Sequence, residues 1–523
     1  MKILENIKQQ RNKNMDFDIS IRKLGKIKDI FSFFRFIRKE DELGINILLE
    51  SVGEHSNEMM FSFIGLKPDF LVKIAGDELV FPSIFTETGE IIKEAGRSVV
   101  STEDDYTLPF DDAVPMKIKG LEMLREIFPI SKSAMPELFP RKVFSGGLLG
   151  YVGYDIIASR VGYEPEISSQ EAFPDAIFGL FTTVLAYSHT TCNLYLIETG
   201  FGKSPENGND INRLLEGFKK QSKRQTLEGH SLTNLEDNFE SLIGIDDWTA
   251  MIQDCKEHIL AGDIIQAVLS RKMVTDSTVD PLDVYAGLRI LNPSPYMFFL
   301  NFPGIHGGNI RIIGSSPEAL ITKDRDTLMT VPIAGTRRRG RDPADELKME
   351  TELLEDEKEI AEHVMLVDLA RNDLSRVSIP GTVITDELIR LKKFPNVMHL
   401  TSKVHSRSLL DPFSVLESVF PAGTVSGAPK QRAMEIINQL EPESRGPYAG
   451  CVGYISFTGD MDMAISIRTL FNKNERYVAQ AGAGIVADSQ PRLEYIETAN
   501  KLKGVLSTVA FAESMAHENG GGR

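Results

Sequence analysis

A chain of 523 residues with 42% apolar and 25% charged side chains is long enough for two or three domains or one large composite unit, and its composition excludes a disordered or fibrous polymer. A formal net charge of -17 repels a phosphate backbone, so no nucleic acid partner is expected, and no run reaches the ~20 apolar residues of a membrane span. Cys192, Cys255 and Cys451 are odd in number and lack C-x-x-C spacing, which predicts buried free thiols rather than a disulfide framework or a zinc site.

In chain order, residues 1–18 are polar and basic and read as a flexible start with no apolar signal-peptide core, so a cytoplasmic location is expected. Residues 19–200 form a first folded portion, and 201–245, rich in Lys, Glu, Asn, Ser and Gly, reads as a charged linker. The second portion, 246–508, opens with Trp248, Met251, Ile252, Cys255 and Ile259 at helical spacing, stopped by Gly262. Ile264 to Ser270 then reads as a strand, and Glu357 to Leu374 is the clearest helix. Tyr448 to Thr458 and Met463 to Phe471 read as two strands of a hairpin turning at Gly459-Asp460, and 509–523 reads as a tail. Strands in groups with helices between the groups favour an α+β fold. LLGYVGY and YAGCVGY look alike, but no regular repeat is visible.

Several constellations could carry chemistry. Glu359 and Glu362 share a helix face, and Glu494 and Glu497 repeat the spacing, so two carboxylate pairs could converge on Mg²⁺, a cation that prefers hard oxygen ligands and keeps waters. Glutamates so spaced in an acidic chain are usually just solvated. Gly482 and Gly484, in the Ala-Gly-Ala-Gly run 481–488, would let backbone N–H groups approach an anion. The segment 422–430 resembles a phosphate loop only superficially, and capping is an equal use for its small residues. Arg468, on the predicted strand face of Ser466, is placed to grip a carboxylate or simply to face solvent. His399 is either a satisfied core histidine or an acid–base group, and Glu318 a buried acid or a polar cap.

Taken in order, GSSPE (314–318), PIAGT (332–336), DEKEIAEHVMLVDLARNDL (356–374), FPAGTVSGAPK (420–430), RGPYAG (445–450) and GAGIVADSQPRLEYIETANK (482–501) resemble the chorismate-utilising enzymes over roughly residues 245–506. The resemblance implies a large composite of antiparallel sheets with helices packed outside. Relatives that add water carry a lysine at the place of Gln266, and those that form aminodeoxychorismate typically carry one at the place of Ala334. The amide and the methyl found here favour the anthranilate-forming reaction, with aminodeoxychorismate formation or a non-catalytic tryptophan sensor as the alternatives.

The resemblance further implies residue roles. Mg²⁺ would be held by Glu362 and Glu497, with Glu359 and Glu494 alongside. Glu318, His399 and Thr424 would be catalytic, while Gln266, Ala334, Gly335, Thr336, Tyr448, Arg468, Gly482, Ala483, Gly484 and Lys501 would bind chorismate. Leu49, Glu50, Ser51, Pro293, Tyr296 and Met297 would form a pocket for tryptophan as feedback inhibitor, with residues 19–200 as the regulatory portion. No cysteine lies in a nucleophile motif with a partnered histidine, so ammonia must come from solution or from a glutamine amidotransferase subunit. A heterotetramer of two large and two small subunits is the implied assembly.

Overall fold

The computed structural model describes residues 18–39, 46–51, 60–75, 78–84, 113–115, 143–157, 173–200, 208–221, 239–304, 308–394 and 397–520, with a few positions between 121 and 130. The flexible start expected for 1–18 and most of the linker lie outside them.

Two twelve-stranded antiparallel sheets make up the molecule. The first runs Asp18–Lys26, Asn193–Gly200, Thr183–Ser188, Phe61–Leu66, Asn46–Glu50, Tyr296–Pro303, Asn309–Ser316, Thr469–Lys473, Arg476–Ile485, Gln266–Asp276 and Glu240–Ser241, with Gly427–Ala428 beside the Gln266 strand. The second runs Ile333–Arg338, Val397–Arg407, Thr327–Thr330, Ala319–Asp324, Met461–Ile465, Cys451–Ser456, Gly147–Val152, Ala176–Phe181, Phe70–Ala75, Glu78–Ile84 and Ala113–Pro115, with Ile384–Lys393 beside the Val397 strand.

Side chains alternate across each strand, so one strand serves two cores. Phe298, Leu300 and Phe302 enter the core between the sheets, with Leu149, Phe178 and Ile455 of the second sheet. Met297 and Phe299 face the other way, into the core under the outer helices Ile30–Arg38, Pro281–Leu291 and Pro491–Gly520. Each such large side chain removed from water stabilises the fold by roughly 1.5–3 kcal/mol, so sheet and helix layers hold each other in register.

The sequence expectations fare unevenly. The helices are Ile245–Leu260 and Glu357–Ser375, and Gly262 takes φ +82 after the first. The 201–245 break is no boundary in space. Met297 pairs with Glu50 and Gly453 with Gly150, so both sheets continue across the two portions, and the linker itself holds the helix Gly208–Gln221. The tail expected at 509–523 is instead helix through Gly520, because Val509, Phe511 and Ala512 are buried. Cys255 and Cys451 are buried as expected, whereas Cys192 is only partly so.

A repeat does exist, in topology. Strands 46–50 and 296–303 pair at the middle of the first sheet, and 147–152 and 451–456 at the middle of the second, the latter being the two look-alike segments. About these centres the strand order of one half mirrors that of the other. In each half an antiparallel pair of strands passes from one sheet to the other, at Lys67–Asp69 and Thr182 in the first half. In the second half the crossovers fall at Pro317–Glu318 and Ser466–Arg468. Met463 to Phe471 is therefore not one strand. It breaks after Ile465, Arg468 adopts φ +52, and the chain resumes in the other sheet, so the expected Ser466–Arg468 strand face does not form.

Candidate active site

The two adjoining crossovers set the site. Glu318 O accepts from Ile465 N at 3.0 Å, and Arg468 O accepts from Ser315 N at 3.1 Å, so both residues sit where the paired strands leave one sheet for the other. Glu318 is buried, and burial pushes its carboxyl up to about 8, with the nearby Thr424 hydroxyl opposing the shift. At neutral pH it is a protonated acid. Thr424 comes from the short turn Gly423–Val425, and a cavity of about 40 Å³ backs onto both residues and onto Leu366, Ala370 and Asp373 of the Glu357–Ser375 helix.

Arg468 opens into the cleft, and among the described residues its guanidinium makes no ion pair, while the surrounding protein lowers its pKa and Tyr448 raises it. An exposed guanidinium without an acidic partner suits an anionic ligand. Tyr448 is buried against the Gly482 backbone, where a Cβ on Gly482 would come within 3.0 Å of the phenol oxygen.

The Arg476–Ile485 strand has one free edge. Val268 N donates to Ser426 O and Ser270 N to Glu441 Oε1, both 2.8 Å, so Gly484 and Gly482, opposite them, point their backbone groups away from the Gln266 strand. Pairing with Thr469–Lys473 ends at Ala479, which leaves the 480–485 edge facing the cleft. Ala483 alternates and turns its backbone toward Leu269. Lys501 Nζ reaches Gly482 O at 3.0 Å, and Gln266 lies so close over Gly484 that a Cβ there would be 2.2 Å from its Nε2.

His399, on Val397–Arg407, stands opposite Thr336. Its Nδ1 lies 2.9 Å from Gly335 O and 3.0 Å from Thr336 Oγ1. A carbonyl can only accept, so Nδ1 carries the proton and Nε2 keeps its lone pair, as a general base requires. Burial lowers the His399 pKa, as does nearby Arg468, with Gly335 and Glu359 opposing, and the ring stays neutral. Gly335 has φ +68, and a Cβ on it would press on Leu353, Glu359 and Leu400. Ala334, at its shoulder, pairs with Leu400.

The four glutamates come from two helices. Partial burial and the charges of Glu359 and Glu497 raise the Glu362 pKa, so the Glu357–Ser375 and Pro491–Gly520 helices face each other there. Glu494 is raised by burial, then lowered by Ser489 and raised by Glu497. Carboxylates crowding one another fit a divalent cation in charge and donor type. Basic side chains hold two of them: Arg337 NH1 is 3.0 Å from Glu359 Oε1 and Lys501 Nζ 2.7 Å from Glu497 Oε1. Among the described residues no three acidic or imidazole groups are already close enough to ligate one ion.

At the other end, Glu50 is the direct strand partner of Met297, and Leu49 of Phe298, while Tyr296 opens the same strand a turn beyond Pro293. Ser51 N donates to Ser62 Oγ at 3.3 Å. The Glu50 carboxylate accepts from Tyr285 OH at 2.6 Å and pairs with Arg289 Nε at 3.0 Å. Burial still raises its pKa.

Two residues given no role from sequence tie this site together. Arg337 was legible only as part of the basic run 337–341 in an acidic chain. Arg445, inside RGPYAG, donates to Val425 O at 2.7 Å and to Val268 O and Glu441 Oε1 at 2.6 Å, joining the Thr424 turn to the Gln266 strand. Glu441→Leu would leave that guanidinium buried without its carboxylate, and a loss of about 3–5 kcal/mol is expected in denaturant unfolding.

Such a cleft, with a buried protonated acid, a free guanidinium, an open glycine edge and facing carboxylates, defines an enzyme acting on a small polyanion. The chain belongs to the chorismate binding enzyme family, whose model matches residues 98–507. It is 37% identical over 494 residues to anthranilate synthase component 1 of Aquifex aeolicus, covering 92% of this chain and 93% of that one. Identity to the same component of Bacillus subtilis is 36% over 506 residues, 94% and 92% of the two chains. The crystal structure of anthranilate synthase component I from Streptococcus pneumoniae superposes with a TM-score of 0.68 at 33% identity, over 87% of this chain and 94% of that one. The menaquinone-specific isochorismate synthase of Escherichia coli, 19% identical with a TM-score of 0.62 over 97% and 99%, shares the fold.

Proposed function

We propose that this chain is the chorismate-converting component of an anthranilate synthase, a lyase that forms anthranilate and pyruvate from chorismate and ammonia. The observation that carries the reading is the pair of adjoining crossovers, hydrogen-bonded to each other's strands, one bearing the buried protonated Glu318 and the other the exposed Arg468. Ammonia forms a bond to the ring carbon next to the carboxylate-bearing one while the ring C–O bond to the hydroxyl breaks. Glu318 gives its proton to that oxygen, which leaves as water, and Thr424 aligns the carboxyl. The new ammonium sheds its extra proton to solvent. His399 Nε2 then takes the proton from the aminated ring carbon as the ring C–O bond to the enolpyruvyl group breaks and the ring becomes aromatic, and the released enolpyruvate takes up a proton to become pyruvate.

Arg468, Tyr448 and the backbone of Gly482 and Gly484 hold the enolpyruvyl carboxylate, with Ala483 between them anchoring the strand to Leu269, and Gln266, Ala334, Gly335, Thr336 and Lys501 bound the remainder of the substrate. Glu362 and Glu497, with Glu359 and Glu494 alongside, would hold Mg²⁺, which when bound supplies positive charge against the ring carboxylate. Gln266 offers no base to activate water, and Ala334 no amine nucleophile. A glutamine amidotransferase subunit supplies ammonia in a cytoplasmic complex, and tryptophan inhibits through the pocket around Glu50 and Met297. No described helix is long and apolar enough to cross a membrane.

The chain incubated with chorismate, ammonium and Mg²⁺ is expected to yield the fluorescence of free anthranilate, suppressed by tryptophan. Glutamine in place of ammonium should yield none without a partner. Accumulation of aminodeoxychorismate, or no loss of chorismate, would overturn the reading.

A further inference from the structure

We infer that Arg271 is a positioning residue that sets the rotation of the Pro491–Gly520 helix, and so aims Glu494 and Glu497 at Glu362; this rests on the metal reading above. Arg271 is 2% exposed, one of the largest fully buried side chains. Among the described residues it meets no carboxylate. Its Nε donates to Thr498 Oγ1 at 2.8 Å, NH1 to Ser241 Oγ at 2.8 Å and NH2 to Tyr495 O at 3.3 Å. The guanidinium lies over the Tyr495 ring, 3.9 Å from its centroid. Taking a cation out of water is costly, and here it is offset only by hydrogen bonds and a ring face, two of the three donors being spent on one turn of one helix.

That turn carries the acids. Tyr495 and Thr498 are three apart and share a face, while Glu494, Glu497 and Lys501 form the adjoining face about 100° away. A side chain gripping 495 and 498 therefore fixes the azimuth of 494 and 497. Arg271 stands on the Gln266–Asp276 strand, opposite Ala481, so the acids are referenced to the same backbone as Gly482 and Gly484. Helix packing alone would leave room for a small roll, and a roll swings a glutamate head furthest of all.

Trp248, the sole tryptophan, provides a readout: its Nε1 donates to Pro491 O at 3.2 Å and its ring meets Tyr495 edge-on at 6.4 Å. Mg²⁺ titrated into the full chain, followed by calorimetry and by Trp248 emission, is expected to bind Arg271→Lys about 10–100-fold more weakly than the parent. Cooperative thermal unfolding should persist, and the deficit should appear in the Mg²⁺ concentration needed for turnover rather than in kcat at saturation. Should Arg271→Lys fail to fold, Thr498→Val removes the Nε acceptor at nearly constant volume and tests the same link. Parent-like Mg²⁺ affinity in a folded variant would overturn the inference alone. A parent chain that binds no Mg²⁺, or binds it unchanged after Glu497→Gln, would overturn the metal reading and this inference with it.

Discussion

Glu318→Gln is expected to cut ammonia-dependent product formation by about 10²–10⁴-fold, the usual contribution of a positioned general acid. Gln keeps the shape of the side chain near Thr424 but has no acidic proton to give the departing oxygen. Burial pushes the Glu318 carboxyl up to about 8, so the parent rate should fall as pH rises past that value, and the variant's residual rate should lose this limb. Stability carries the same signature. A carboxyl whose folded pKa lies above its unfolded value supports folding most below the unfolded pKa, and that support is lost as pH rises through the folded one. Between about 4.5 and about 8 the parent should therefore weaken by a few kcal/mol relative to the glutamine variant. Denaturant melts of both proteins across that window check the sign. A pH-independent difference with activity retained would remove Glu318 from the acid's role.

Glu362→Gln should cost on the order of 10³-fold or more in turnover, because a ligated cation is worth several kcal/mol of charge stabilisation. Burial and then the charges of Glu359 and Glu497 raise the Glu362 pKa, so removing its charge relieves both penalties in the metal-free protein. The variant is thus expected to match or exceed the parent's melting temperature without Mg²⁺, while failing to gain the stabilisation that a bound ion gives the parent. A melt series over Mg²⁺ separates a lost ligand from a damaged fold. Near-parent anthranilate formation in this variant would sink the metal assignment.

The helix Glu357–Ser375 was legible because its acidic cap, periodic apolar residues and length agree locally, and Asp356 does accept from Lys358 N and Glu359 N. The break between Ile465 and Thr469 was not. A run of alternating apolar residues continues through it, and only the change of sheet shows that Arg468 leaves the strand. Likewise Val509, Phe511 and Ala512 have no visible destination until the Pro281–Leu291 helix packs on them, so the end of the chain reads as a tail.

What the sequence determined by itself was which chemical groups are present and which are missing: glutamates in two spaced pairs, an amide at Gln266 and a methyl at Ala334 with no amine at either, and six motifs in one order. These are local identities, and spacing along one helix suffices to read them. Tertiary structure alone decided that Glu318 and Arg468, 150 residues apart, sit on neighbouring crossovers, and that the Glu318 carboxyl is held protonated. Burial and the company of other charges set a pKa, and both are properties of the packed sheets rather than of any stretch of chain.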